Sequence, residues 1–228
     1  MRRNEMFIMI ELLHIDCMEY MATLADRAFD LAIVDPPYGI GFDGEVGSMV
    51  SNNTSGKWNN ARGSGYVRKE WDKNKPDSSY FTELGRISKN QIVWGGNYFS
   101  ECLKSSGGWV VWDKQRPADF SLSQAELAWV SGSGRVAIFR YLWHGFQKQE
   151  QEDRFHPTQK PVQLYKWLLK NYSDPSHKII DTHLGSGSSA IAAYDFKVAE
   201  FVGCEIDKDY FDAAVKRFEI HCMQQKLF

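Results

Sequence analysis

The sequence predicts one α/β domain, a mostly parallel β-sheet with helices on both faces. Three observations predict it. Short apolar runs, several rich in β-branched residues, alternate with stretches of helical spacing along the 228 residues. Two of these runs end in an aspartate and a turn, at Asp35-Pro36-Pro37-Tyr38 and at Asp181-Thr182-His183-Leu184-Gly185-Ser186-Gly187. Apolar residues make up 43% of the chain and charged residues 25%, so a single large core can form. No internal repeat or domain boundary interrupts 1–228.

In chain order, Phe7–Ile15 reads as a first strand, Met18–Leu24 as a helix, and Asp30–Val34 as a buried strand running into Asp35. From Gly39 to Pro76 the periodicity is lost among Gly, Ser and Asn, a length that points to a functional insertion at about 41–76. Its second half is basic: six lysines and arginines oppose two acids between Gly56 and Lys75. Ser79 is placed to cap a helix reaching Ile87. Strands at Gln91–Trp94, Trp109–Trp112, Glu126–Val130 and Val136–Trp143 follow, with a turn at Gly95-Gly96 and a short helix from Asn97. Pro161 opens a helix over Val162–Tyr172, since proline is tolerated at a helix start. The chain closes with a strand at Lys178–Asp181, a helix at Ser188–Phe196, a strand at Glu200–Glu205 and a helix at Tyr210–Gln224.

Composition sets limits on function. The net charge of −2 gives no global basic field, so any contact with nucleic acid must be local. Cys17, Cys102, Cys204 and Cys222 are scattered, without zinc-ligand spacing, which argues against a metal or disulfide framework. No segment is apolar enough for a signal peptide or a membrane span, so a cytoplasmic protein without a membrane partner is expected.

Two turns carry the chemistry. In Asp35-Pro36-Pro37-Tyr38 the prolines fix the backbone and remove two donors, leaving carbonyls free as acceptors beside a carboxylate. Such a group can hold an NH₂, and Tyr38 adds a flat ring. At the second turn, Gly185, Gly187 and Ala190 let a backbone approach a ligand at a helix start, and Glu205 lies about twenty residues on, where a carboxylate binds ribose. This pattern alone leaves NAD and other adenosine cofactors open. Asp181, directly before the glycines, disfavours a pyrophosphate and suits a cationic ligand; S-adenosylmethionine fits.

With these motifs in this order, the chain resembles the S-adenosylmethionine-dependent DNA amino-methyltransferases of the N6-adenine/N4-cytosine group, catalytic motif first, and among them the phage- and prophage-type methylases. The resemblance implies a Rossmann-like methyltransferase fold in a single domain. Asp35, Pro36, Pro37 and Tyr38 match its catalytic motif, and Asp181 through Gly187 with Ser188 match its cofactor turn. Glu205 and Ile206 match the acidic strand end, and His156-Pro157-Thr158-Gln159-Lys160-Pro161 the segment lining the methionine end of the pocket. Asp16 and Cys17 resemble the site where an acid meets the adenine. Cofactor-binding residues are thus expected at Asp16, Cys17, Asp35, Thr158, Gln159, Lys160, Asp181, His183, Gly185, Ser186, Gly187, Ser188, Glu205 and Ile206. The chain departs from the pattern at Thr182-His183, where Pro-Phe is common, and at Ser188-Ser189, where Thr-Thr is common.

The implied function is transfer of a methyl group to the exocyclic amine of a flipped DNA base, with adenine N6 favoured by the acid-first form of the motif. Cytosine N4, an RNA substrate or an inactive DNA-binding relic are the alternatives. A DNA substrate turns Lys57, Arg62, Arg68 and Lys69 into candidate phosphate contacts and Trp58 into a candidate stacking residue. Residues 115–155 offer a short target-recognition region. A homodimer is compatible with the resemblance, and a restriction endonuclease partner is left open.

Overall fold

The computed structural model describes residues 8–41, 72–117, 123–132, 134–144, 147–148 and 158–225. Its centre is an eight-stranded sheet. The strands are β1 (Met9–His14), β2 (Phe29–Val34), β3 (Ser88–Trp94), β4 (Gly108–Asp113), β5 (Ala125–Val130), β6 (Val136–Arg140), β9 (Lys178–Asp181) and β10 (Glu200–Glu205). A separate hairpin pairs β7 (Trp143–His144) with β8 (Gln147–Lys148). The helices are α1 (Cys17–Ala22), α2 (Ser78–Ile87), α3 (Val162–Tyr172), α4 (Ser188–Phe196) and α5 (Lys208–Gln225).

The sheet order is β1-β10-β9-β2-β3-β5-β4-β6, and every neighbouring pair is parallel except the two made by β5. Side chains of a strand alternate between faces, so β2 feeds two cores at once. Leu31 and Ile33 pack with Leu164, Leu168 and Ile191 from α3 and α4, while Ala32 and Val34 pack with Met21, Tyr80 and Leu84 from α1 and α2. Full burial of each such aliphatic side chain contributes roughly 1.5–3 kcal/mol.

Two local predictions need correction. Asp77, and not Ser79, caps α2, its carboxylate accepting from Ser79 N at 2.8 Å. The expected strand Val136–Trp143 ends at Arg140, because its partner β4 ends opposite at Asp113. Of the stretch 115–155, residues 125–130 and 136–140 are strands of the main sheet. Among the described residues no helix is long and apolar enough to cross a membrane.

The topology places the site. β2 and β9 are neighbours, Leu31 opposite Ile179 and Ala32 opposite Ile180. From β9 the chain winds through α4 to β10 on one side; from β2 it winds through α2 to β3 on the other. The strand order therefore reverses between β2 and β9, and ligands of open α/β sheets bind at the carboxyl ends of strands at such a reversal. The Asp35 and Asp181 turns leave those two strand ends.

Candidate active site

At the end of β2, Asp35 is held by side chains. Its Oδ1 accepts from the Tyr38 hydroxyl at 2.6 Å and its Oδ2 from Lys160 Nζ at 2.5 Å. Lys160 also donates to the Tyr38 oxygen at 3.2 Å and stands 3.2 Å from Glu126 Oε2. Glu126 in turn accepts from Lys114 through its other oxygen. Four charges therefore run in alternating sign, Asp35–Lys160–Glu126–Lys114, and both lysine side chains are almost fully buried. Burial pushes the Asp35 carboxyl up, against the pull of the Lys160 ammonium. Burial acts on Glu126 in the same direction, but Lys160 and Lys114 outweigh it and hold its carboxyl at about 2. Burial lowers the affinity of Lys160 for its proton, and its two carboxylates more than restore it.

Tyr38 is packed inward. Its ring stacks on Tyr98 at 5.0 Å and 15° and meets Phe99 edge-on at 6.1 Å. Gly95, at φ +68°, lies against this ring, and a Cβ there would collide with it. The residue thus has a double reason to be glycine: a left-handed backbone and no room for a side chain.

The second turn is held differently. Asp181 is 1% exposed, with Oδ1 accepting from His183 N at 3.0 Å and Oδ2 from the Ser189 hydroxyl at 2.6 Å. Burial pushes its carboxyl up to about 7, against those two hydrogen bonds. Glu205 at the end of β10 accepts from Gly185 N at 2.8 Å and from Asp207 N at 2.9 Å, so it shapes the turn while retaining lone pairs toward the cleft. From α5, the buried Arg217 donates to Ser186 O at 2.8 Å and Ser188 Oγ at 2.9 Å. His183, where the family pattern has an aromatic, sits 3.0 Å from Thr182 Oγ1 through Nδ1, with Tyr80 edge-on. Burial pushes its ring down to about 4, so it is neutral at pH 7.

Between the turns runs a cleft lined by Asp35, Pro37, Thr158, Gln159, Lys160, Tyr165, His183, Leu184, Gly185, Ser186, Glu205, Ile206, Asp207 and Tyr210. Ten of the predicted site residues are in this lining. Tyr38 is behind it on Tyr98, and Asp181 and Ser188 lie under the turn. The Asp16 carboxylate caps α1, accepting from Met18 N at 2.7 Å, and burial pushes the neighbouring Cys17 thiol up to about 12. His156, Pro157, Lys57, Trp58, Arg62, Arg68 and Lys69 lie outside the described residues. Sequence reasoning missed Glu126, Lys114, Tyr165, Tyr210 and Arg217. A lone acid or base in an alternating strand or helix reads as a solvated residue, and nothing local marks these as buried. A larger cavity of about 600 Å³ lies beneath α2, away from both turns; its Arg86 and Lys89 are paired with Glu83, Asp26 and Asp30.

The donor set of the cleft selects its ligand. Among the described residues its lining holds the acids Asp35, Glu205 and Asp207, and one lysine or arginine, Lys160, which already serves two carboxylates. A pyrophosphate would meet mainly negative charge there. A cationic adenosine compound with a ribose diol fits.

The comparisons agree. A family model described as a DNA methylase (N6_N4_Mtase) matches residues 112–216, a span that includes the glycine turn and not Asp35. YubD of Escherichia coli (strain K12), described as a methylase, is 26% identical over 207 residues, covering 89% of this chain and 87% of YubD. The type II methyltransferase M.HinfI of Haemophilus influenzae is 24% identical over 248 residues, covering 89% and 66%. Among solved structures, the M1.HpyAVI–SAM complex superposes with a TM-score of 0.58 at 19% identity, covering 92% of this chain and all of that one. The PvuII DNA methyltransferase, described as cytosine-N4-specific, gives 0.60 at 10% identity, with 92% and 88% covered. The chain shares the α/β fold of these two structures. The chain is thus similar to DNA methylases over residues 112–216 and to proteins described as methylases or methyltransferases over 89% of its length.

Proposed function

We propose that the protein methylates the exocyclic N6 amine of a flipped adenine in DNA. The observation that carries this reading is the Asp35 carboxylate, which lines the cleft at the strand-order reversal beside the β9 turn. Gly185, Ser186, Glu205, Ile206, His183, Thr158 and Gln159 would hold the cofactor, with Glu205 on the ribose. When bound, the cofactor supplies an electrophilic methyl group.

An exocyclic base amine is a poor nucleophile, because its lone pair is delocalised into the ring. Asp35 and the Pro36 carbonyl accept its two N–H bonds, turn the lone pair toward the methyl group and stabilise the positive charge that develops on nitrogen. Asp35 then takes the proton that restores a neutral amine, a role helped by its raised affinity for protons. Base entry exchanges the Tyr38 O–H at Asp35 Oδ1 for a base N–H, and the displaced Tyr38 ring stacks on the base. Extrusion from the duplex costs a few kcal/mol of unstacking.

Adenine is favoured because Asp35 stands first in the turn, the form that the resemblance drawn from the sequence associates with adenine. Cytosine N4 is the second reading, supported by the likeness to a structure described as cytosine-N4-specific. Incubation with DNA and methyl-tritiated cofactor, followed by digestion and chromatography, separates them. Label in N6-methyladenine is expected, and label in N4-methylcytosine overturns the choice of base. Lys57, Arg62, Arg68 and Lys69 are proposed as phosphate contacts, with Trp58 stacking on DNA. Removing two of these cations should lower the salt slope of DNA binding by about 2.

A further inference from the structure

The methyl-transfer reading uses Asp35 and leaves the rest of the buried charge chain unexplained. Lys160 reaches Asp35 Oδ2 at 2.5 Å, close enough for a full charge-assisted hydrogen bond. Left alone with Asp35, that ammonium would withdraw the charge that the base amine needs. It is not left alone. Glu126, on the antiparallel strand β5, meets the same Nζ at 3.2 Å, and the Trp94 ring lies 5.3 Å from it. Lys114, directly after β4, holds the far oxygen of Glu126 in place.

Taking the function above as given, we propose that Glu126 is a positioning residue for Asp35, acting through Lys160. By engaging the same ammonium, it divides the Lys160 charge between two carboxylates. Lys160 then fixes the orientation of Asp35 without neutralising it, and Asp35 Oδ1 stays a strong acceptor for the base amine. Lys114 sets the balance: by drawing on Glu126 it limits how far Lys160 is pulled from Asp35. Among the described residues, the other groups that face Asp35 are the Tyr38 hydroxyl, Tyr165 on α3 and Asp181 at the end of β9. Glu126 and Lys114 carry opposite charges in this chain, so their two substitutions have opposite expected signs.

The test is the titration of the Asp35 carboxyl, followed by carbon-13 NMR in the cofactor-free protein and assigned with Asp35→Asn. Removing Glu126 as Glu126→Gln hands Lys160 wholly to Asp35 and should shift the Asp35 titration down by about one pH unit. Removing Lys114 as Lys114→Met strengthens the Glu126–Lys160 pair and should shift it up. In the methyl-transfer assay, Glu126→Gln should lower kcat at saturating cofactor and DNA about tenfold, leave the cofactor Kd within twofold, and move the acid limb of the rate profile the same way as the NMR titration. Breaking a buried ion pair can unfold a protein. The double variant Lys114→Met/Glu126→Leu removes both charges and should still lower the Asp35 titration. An unchanged titration in Glu126→Gln or in the double variant, or shifts of the same sign in the two single variants, overturns the proposal. Absence of methyl transfer by the unaltered protein would instead overturn the function and leave the NMR result standing as a property of the fold.

Discussion

The two turns at the centre of the sheet look alike in sequence and are built in opposite ways. Each follows a buried strand and opens with an aspartate. Asp35 is gripped by the tips of two side chains, Lys160 and Tyr38, and faces the cleft. Asp181 is gripped by a backbone N–H and the Ser189 hydroxyl and lies beneath its own turn. Partners on flexible tips can be exchanged for a substrate, whereas partners in the backbone cannot move without unfolding the loop. The difference separates a carboxylate available for chemistry from one that shapes a binding surface.

The largest break in this comparison is Asp35→Asn. An amide keeps the shape of the group and loses its charge, so methyl transfer should fall at least about a thousandfold, read as labelled product per turnover. Gly95→Ala is next. A methyl group at φ +68° against the Tyr38 ring should displace that ring and destabilise the fold by about 1–3 kcal/mol, measured by urea unfolding.

Asp181→Asn acts through pH. The folded-state pKa of Asp181 is raised to about 7, so the folded protein holds a proton that the unfolded chain releases above about 4. Stability from this group is therefore present at low pH and declines as pH rises from about 4 to 7. The variant should lose that decline and gain on the unaltered protein by a few kcal/mol, on the order of the shift, near pH 8. Glu126 works in the opposite sense, its contribution being lost as pH falls from about 4 toward 2. Tyr38→Phe is expected to have the smallest effect: it removes one hydrogen bond to Asp35, keeps the ring, and should change kcat by less than about fivefold.

How much of this was legible follows from what each signal encodes. Strands such as Asp30–Val34 show themselves by apolar, β-branched runs, and α3 by its helical spacing behind Pro161. Direction leaves no such trace: nothing in Ala125–Val130 announces that β5 runs antiparallel to both its neighbours in the main sheet. That reversal nonetheless carries Glu126 to a place between Lys114 and Lys160. The aspartates at 35 and 181 were legible as special, and their division of labour was not. It depends on whether the neighbours reaching them are Lys160, distant in sequence, or Ser189, eight residues on.

The comparison is tested most directly by measuring cofactor affinity and single-turnover methyl transfer on Asp35→Asn and Asp181→Asn side by side. The account predicts that Asp35→Asn keeps the cofactor Kd within about threefold while losing transfer at least about a thousandfold. For Asp181→Asn it predicts transfer within about threefold of the unaltered protein once cofactor is saturating. Equal loss of transfer in both variants, or transfer that survives in Asp35→Asn, would contradict it.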